Sequence, residues 1–150
     1  MVLEAIVRDI DEIIGKSKVV IPKGSSMILS HHFGLDNFRK YGACVIECYN
    51  MEEYAKKILV MLPGQFHSQH YHARKHETFL VVYGDLFLDA GDISGWMEPG
   101  DLKVVAPGLK HSFSTDKGCV FEEISTHADP TDSIYEIDLS PDRKTFVRYW

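Results

Sequence analysis

The chain has 150 residues, the usual length of one domain and enough to bury a self-sufficient core, so we predict a single domain over residues 1–150. Hydrophobic residues make up 45% and charged residues 25% of the sequence, which excludes a mainly disordered or collagen-like chain. The 22 acidic residues outnumber the 16 Lys and Arg residues, and the net charge of -6 argues against a nucleic-acid partner.

The hydropathy of the chain and its number of cysteines indicate the cellular compartment of the protein. No uninterrupted apolar run approaches the roughly 20 residues that span a bilayer, and the first residues are acidic where a signal peptide is basic. Three cysteines, Cys44, Cys48 and Cys119, make neither a disulfide framework nor a complete thiolate zinc site. We therefore predict a cytoplasmic protein with reduced thiols and no membrane partner.

The first 16 residues have the pattern of an amphipathic helix. Leu3, Ile6, Ile10 and Ile13 recur at helical spacing and form one apolar face. We predict that the helix ends at Gly15 and packs against its own barrel or against a twin subunit. A homodimer is the default expectation, because both termini are apolar.

After this helix, short apolar runs alternate with Gly, Pro, Asn and Asp, a pattern typical of strands and turns. The candidate strands are Ala43 to Cys48, Ala55 to Met61, Ser68 to His72, Glu77 to Tyr83, Asp85 to Asp89, Asp101 to Val105, His111 to Ser114, Cys119 to Ser125 and Ile134 to Ile137. We also predict a short helix over Leu35 to Tyr41 and a docked apolar tail from Pro141 to Trp150. Such strand spacing indicates a mainly β antiparallel sandwich or barrel.

Histidines carry the clearest functional signal. His70 and His72 lie two apart, so on a strand they point to the same face and can share one ion. Glu77 follows a predicted turn and can return its carboxylate to that face, and His111 begins a later strand. Three imidazoles and one carboxylate suit a divalent transition metal with positions left open for a ligand.

The spacing of glycines and candidate ligands resembles the two signatures of the cupin superfamily. In the first, gaps of five, one, four and six residues separate Gly64, His70, His72, Glu77 and Gly84. In the second, Gly100 precedes His111 by eleven residues with Gly108 between them. Pro107 stands one residue later than is usual, and Thr115 replaces the closing asparagine. The resemblance implies a double-stranded β-helix, or jelly-roll, barrel with metal ligands His70, His72, Glu77 and His111.

Two further stretches resemble small sugar-acting cupins, namely D-lyxose-type aldose-ketose isomerases and the cupin modules associated with sialic-acid-type sugar synthases. They are HARKHETFLVVYGDLFL after the ligand pair and FEEISTHADPTDSIYE after the second motif. The isomerases imply a carboxylate at Glu123 and a basic residue at Lys75 as catalytic groups. Where the isomerases have an arginine after a later Asp-Asn pair, this chain has Asp132, Ser133, Ile134 and Tyr135. The missing arginine favours the synthase-associated modules.

Strand parity leaves two of these assignments open. Glu122 and Glu123 face opposite ways, and the sequence alone does not say which side is the barrel lumen. Lys75 lies in a turn-prone run, where a solvated charge is the usual outcome. His67 and His76 flank the ligands; we expect them at the surface, with a position at the mouth of the barrel or a hydrogen bond to a ligand as the alternative. His31 and His32 receive no role.

Three functions therefore remain. The first is aldose-ketose isomerisation, or epimerisation, of a small carbohydrate through an enediol on a divalent metal (Mn, Zn, Fe or Ni). The second is a non-catalytic sugar-binding module linked to sialic-acid-type sugar synthesis. The third is an iron-dependent dioxygenase at the same ligands, because the ligand set alone does not select the metal.

Overall fold

The computed structural model describes all 150 residues and consists mainly of β-strands. Helix α1 covers Val2–Ser17. The strands are β1 Ser26–His31, β2 Gly42–Asn50, β3 Ala55–Met61, β4 Phe66–Tyr71, β5 Glu77–Gly84, β6 Leu86–Asp89, β7 Gly95–Met97, β8 Leu102–Val105, β9 His111–Ser114, β10 Cys119–Ser125, β11 Ile134–Tyr135 and β12 Lys144–Tyr149. Single turns of 3-10 helix occur at Leu35–Asn37, Gly91–Ile93 and Pro130–Asp132.

The strands form two antiparallel sheets. The larger has the order β12-β1-β2-β3-β10-β5-β8, and the smaller has the order β11-β4-β9-β6-β7. Strands distant in sequence are neighbours in both sheets, as in a jelly roll. The predicted fold class, a mainly β barrel with an N-terminal helix, is confirmed.

Two apolar clusters hold these layers together. The interior cluster draws side chains from both sheets, among them Leu59, Phe79, Phe113 and Phe121, and therefore lies between them. The second cluster joins α1 to the outer face of the larger sheet through residues such as Val60 and Val120. Alternate residues of β3 and β10 thus belong to different cores, as the two-residue period of a strand requires.

Helix α1 buries Ile6 and Ile10 completely against the sheet of its own chain. The predicted end at Gly15 is wrong, because the helix continues to Ser17. Ser17 Oγ donates to the Ile14 carbonyl at 2.7 Å and accepts the Val19 N–H at 3.2 Å. The left-handed residue that ends the helix is Lys18, with φ 59.

The C-terminal tail docks as strand β12, which pairs with β1 at one edge of the larger sheet. Arg148 also reaches α1, where its guanidinium donates to both oxygens of Asp11 at 2.9 and 2.7 Å. Strands β1, β7 and β12 were not among the predicted strands. The helix predicted over Leu35 to Tyr41 is reduced to the single turn Leu35–Asn37.

Cys44, Cys48 and Cys119 are free thiols. Burial raises the pKa of the Cys119 thiol to about 12, so it is protonated at neutral pH. No helix has both the length and the apolar character needed to cross a membrane.

Candidate metal centre and barrel cavity

Three of the predicted ligands converge inside the barrel. His70 lies near the end of β4, His72 directly follows that strand, and His111 begins β9, where it pairs with His70 across the sheet. All three side chains are buried, and their ligand atoms lie within 4.8 Å of one another. The strand predicted to reach His72 ends at Tyr71, yet His72 still joins the group.

The hydrogen bonds of these rings determine which nitrogen is free. Nδ1 donates to the Ser68 carbonyl in His70 (3.0 Å), to the Asp132 carbonyl in His72 (3.0 Å) and to the Leu109 carbonyl in His111 (2.9 Å). A carbonyl oxygen only accepts, so a neutral ring keeps its lone pair on Nε2. Metal-binding histidines have this arrangement. Burial, with the neighbouring His111 and His72, lowers the pKa of His70 to about 3 and keeps it neutral.

Glu77, the first residue of β5, lies against two of these rings. Its Oε1 is 3.0 Å from His72 Nε2, and its Oε2 is 3.2 Å from His111 Nε2. Both imidazole nitrogens, His72 Nε2 and His111 Nε2, are buried and have no hydrogen-bond partner of good geometry. Burial alone would raise the pKa of Glu77, but His111, His72 and Lys75 outweigh it and hold that pKa well below its usual range.

Buried acceptors without partners are costly, and a cation among them removes the cost. Three imidazoles with an adjacent carboxylate fit a divalent transition metal. The three buried histidines can therefore hold a metal ion. Glu77 as the fourth ligand stays a prediction, because the group of ligand atoms that lie within 4.8 Å of one another consists of the three histidines alone.

Lys75 is buried, so the solvated position that its turn-prone run left open does not occur. Its Nζ lies 2.8 Å from Glu77 Oε1 and 3.3 Å from Glu123 Oε2. Burial favours the neutral amine, but the carboxylates of Glu123 and Glu77 outweigh it and raise the pKa of Lys75 above its ordinary value. Lys75 is thus a charged link between the two acids.

Glu123 faces the barrel lumen and Glu122 faces away from it. Phe121, on the same side as Glu123, belongs to the interior cluster, whereas Val120 packs on the helix side. Glu122 lies on that outer face, 3.4 Å from Lys56 Nζ. The structure thereby resolves the choice that strand parity left open.

Sequence reasoning gave no role to Asp132, which organises the turn after His72. Its carboxylate accepts the backbone N–H groups of Ala73, Arg74 and Lys75 at 2.9, 3.1 and 3.1 Å. Its carbonyl also accepts the His72 Nδ1 proton. One residue therefore orients a candidate ligand and the turn that carries Lys75. No sequence signal connects it to a turn so far away in the chain.

A second group of rings adjoins the candidate ligands. His67, expected at the surface, is buried and stacks on Phe113 with ring centroids 4.3 Å apart. His32 is also buried and meets His67 edge to face at 4.5 Å. Tyr135 stacks on His70 at 5.0 Å. The prediction for His67 is wrong because the interior of this barrel holds more histidines than the ligand motif alone implies.

Two connected cavities open from this region. The inner cavity, about 110 Å³, is bordered by three of the candidate ligands and by two charged residues next to them: His70, His72, Glu77, Lys75 and Glu123. The outer cavity, about 360 Å³, is bordered by His32, Tyr135, Arg143 and other residues nearer the surface. A small molecule can therefore reach the histidines from outside.

Solved structures of low sequence identity share this architecture. L-Ribose isomerase from Acinetobacter sp., solved as a variant in complex with L-ribose, matches with a TM-score of 0.67 at 14% identity, over 85% of this chain and 80% of that chain. An RmlC-like cupin from Shewanella frigidimarina matches with a TM-score of 0.55 at 17% identity, over 59% of this chain and 79% of that chain. The chain has the cupin fold.

A further match is a Klebsiella pneumoniae protein with a double-stranded β-helix domain, with a TM-score of 0.53 at 18% identity, over 58% of this chain and 78% of that chain. No protein-family model and no curated protein matches the chain in sequence. The likeness of this chain to these structures is therefore one of fold.

Proposed function

We propose that this cupin binds a small carbohydrate and interconverts its aldose and ketose forms, or epimerises the same carbon, with the help of a divalent metal. The observation that carries the proposal is the position of Glu123. This carboxylate borders the inner cavity beside the histidines and contacts the buried Lys75. The fold likeness to an L-ribose isomerase supports a sugar as the substrate.

Each side chain has a distinct task in this proposal. His70, His72, His111 and Glu77 would hold the metal, which supplies a Lewis acid that polarises a carbonyl and acidifies the neighbouring C–H. Glu123 takes a proton from one carbon and returns it to the next, as a general base within hydrogen-bond reach can do. Lys75 contacts both Glu77 and Glu123 and so fixes the carboxylate that moves the proton.

The test is exchange of the substrate's C2 proton with solvent. Metal-loaded protein is incubated in deuterated water with a panel of pentoses, hexoses and acidic amino sugars, and NMR follows deuterium at C2. We expect exchange with at least one sugar. In Glu123→Gln, with metal retained, exchange should slow by about 10²- to 10⁴-fold, the usual contribution of a general base.

Glu122→Gln is the matched control, because it removes the same charge from the adjacent residue on the opposite face of β10. It should leave exchange unchanged. Binding of a sugar without C2 exchange would favour the sugar-binding module instead. Oxygen consumption by the iron-loaded protein would favour a dioxygenase.

A further inference from the structure

The outer cavity is continuous with the inner one. Seven residues border both: Ser30, Glu47, Lys57, Lys75, Ser133, Tyr135 and Lys144. A ligand with one end at the histidines therefore extends into the outer cavity, and the chemistry of that cavity determines what the other end carries.

The charges that border the outer cavity do not balance. Asp129 is paired with Arg74 at 3.0 Å, and Lys75 is paired with Glu77 and Glu123. The remaining acid, Glu47, lies opposite Lys57 in the register of β2 and β3. Two consecutive cations, one directly before β12 and one at its first residue, are left without a carboxylate partner.

These cations are Arg143 and Lys144, and both border the cavity. Neither forms an ion pair within the chain, whereas Arg39, Arg74 and Arg148 each have a carboxylate partner. The Arg143 guanidinium lies over the Tyr135 ring, with Cζ 5.7 Å from the centroid. That ring in turn stacks on His70, so the cation lies one aromatic ring away from the candidate metal ligands.

His32 adds a buried donor without a partner. The Ser68 N–H donates to His32 Nδ1 at 3.4 Å, and the Ser68 hydroxyl lies 2.9 Å from the same atom. Since a backbone N–H only donates, Nδ1 is the acceptor and the neutral ring carries its proton on Nε2. That nitrogen is buried and has no hydrogen-bond partner, although the residue borders the outer cavity. A polar ligand group in the cavity would satisfy it.

We infer that the outer cavity is an anion subsite, in which Arg143, Lys144 and His32 bind a carboxylate or phosphate at the far end of the sugar. The inference rests on the proposed function for the carbohydrate nature of the ligand. A guanidinium binds either anion with two parallel hydrogen bonds, and the neighbouring ammonium adds a second charge. The natural substrate is then an acidic or phosphorylated sugar and not a neutral one.

The test compares the affinities of matched sugars by calorimetry. Metal-loaded protein is titrated with D-ribose and D-ribose 5-phosphate, and with D-glucose and D-glucuronate. At least one anionic member should bind about 10- to 100-fold more tightly than its neutral counterpart, the usual effect of a charge-assisted hydrogen bond. The preference should weaken as salt is added. The two pairs distinguish a phosphate from a carboxylate.

Arg143→Gln and Lys144→Gln should each reduce the affinity for the anionic sugar about tenfold and leave the neutral sugar unaffected. Arg143→Lys keeps the positive charge but lacks the planar guanidinium group, so it should reduce the affinity for the anionic sugar to an intermediate extent. Lys117→Gln, the same charge change at an exposed residue outside both cavities, is the control. Thermal melting verifies that every variant is folded.

The inference is overturned if neither anionic sugar binds more tightly than its neutral partner, or if Lys117→Gln weakens binding as much as Arg143→Gln does. Its failure is distinguishable from that of the proposed function. An anion preference without C2 exchange would contradict the proposed isomerase function and support the anion subsite. C2 exchange with a neutral sugar, without an anion preference, would support the isomerase function and contradict the anion subsite.

Discussion

At the residue scale, the candidate metal centre depends on where three imidazole protons lie. His70 and His111 each donate to a carbonyl two residues earlier in the chain, so their ring orientation is fixed locally. His72 donates to the carbonyl of Asp132, which a different part of the chain supplies. All three rings are thereby oriented before a metal arrives, which lowers the cost of binding one.

We predict that His72→Ala abolishes stoichiometric metal binding without unfolding the barrel. Loss of a residue that hydrogen-bonds to a metal ligand typically lowers metal affinity by 10- to 100-fold, so loss of a ligand itself should lower it by more than about 100-fold. Elemental analysis of the purified variant measures the metal, and circular dichroism verifies the fold. His76→Ala, a change at an exposed histidine on the same turn, is the control. Unchanged metal content in His72→Ala would contradict the assignment.

The sequence identified the candidate ligands because their spacing is local to two short motifs. It gave no indication of Asp132, because the hydrogen bonds between this residue and the turn after His72 form only when the barrel closes. It left the position of Lys75 open for a related reason. A turn-prone run predicts exposure, and only the fold brings Glu123 close enough to stabilise a buried ammonium.

At the scale of elements, β3, β9 and β10 have the predicted bounds. Strand β7 was missed because its three residues are too few to show a period. Strand β12 was missed because Phe146 and Tyr149 are exposed although apolar, which hides the alternation. Backbone pairing with β1, more than side-chain burial, defines that strand.

Helix α1 should stabilise the barrel mainly through its buried isoleucines. We predict that Ile10→Ala lowers the free energy of unfolding by about 2–5 kcal/mol, because it removes a fully buried side chain and leaves a cavity. Urea denaturation measures the change. Val2→Ala, at an exposed position of the same helix, should change stability by less than about 0.5 kcal/mol.

Metal binding should be unaffected in Ile10→Ala, because α1 packs on the face of the larger sheet opposite to the lumen. Equal stability losses in the two helix variants would show that the helix does not pack as described.

At the scale of the whole molecule, buried neutral histidines couple stability to pH. Burial, with nearby Arg143 and His31, lowers the pKa of His32 to about 4, and the pKa of His70 is lowered to about 3. Both are near 6.5 when exposed. As pH falls below 6.5 the unfolded chain therefore binds protons that the folded chain does not, and stability is lost. Glu77, whose folded pKa is depressed, contributes its own loss only at lower pH.

We predict that the metal-free protein loses about 2 kcal/mol of stability for each of these two histidines between pH 7 and pH 5. Urea denaturation in the presence of a chelator measures the loss. His32→Gln should reduce the pH-dependent loss by about one histidine's share, whereas His76→Gln, at an exposed position, should not change it. A stability independent of pH over this range would contradict the prediction.

The pairing of β1 with β12 joins segments near the two ends of the sequence, where Ser26 lies opposite Tyr149. On the ribosome, β1 emerges early and its outer row of backbone amides and carbonyls has no strand beside it until β12 is synthesised. A nascent chain arrested before Lys144 therefore exposes the unpaired backbone N–H and C=O groups of β1. Such an open strand edge promotes aggregation. Chaperones should accordingly be needed until translation ends, and the closure of this edge should be among the slowest steps of folding.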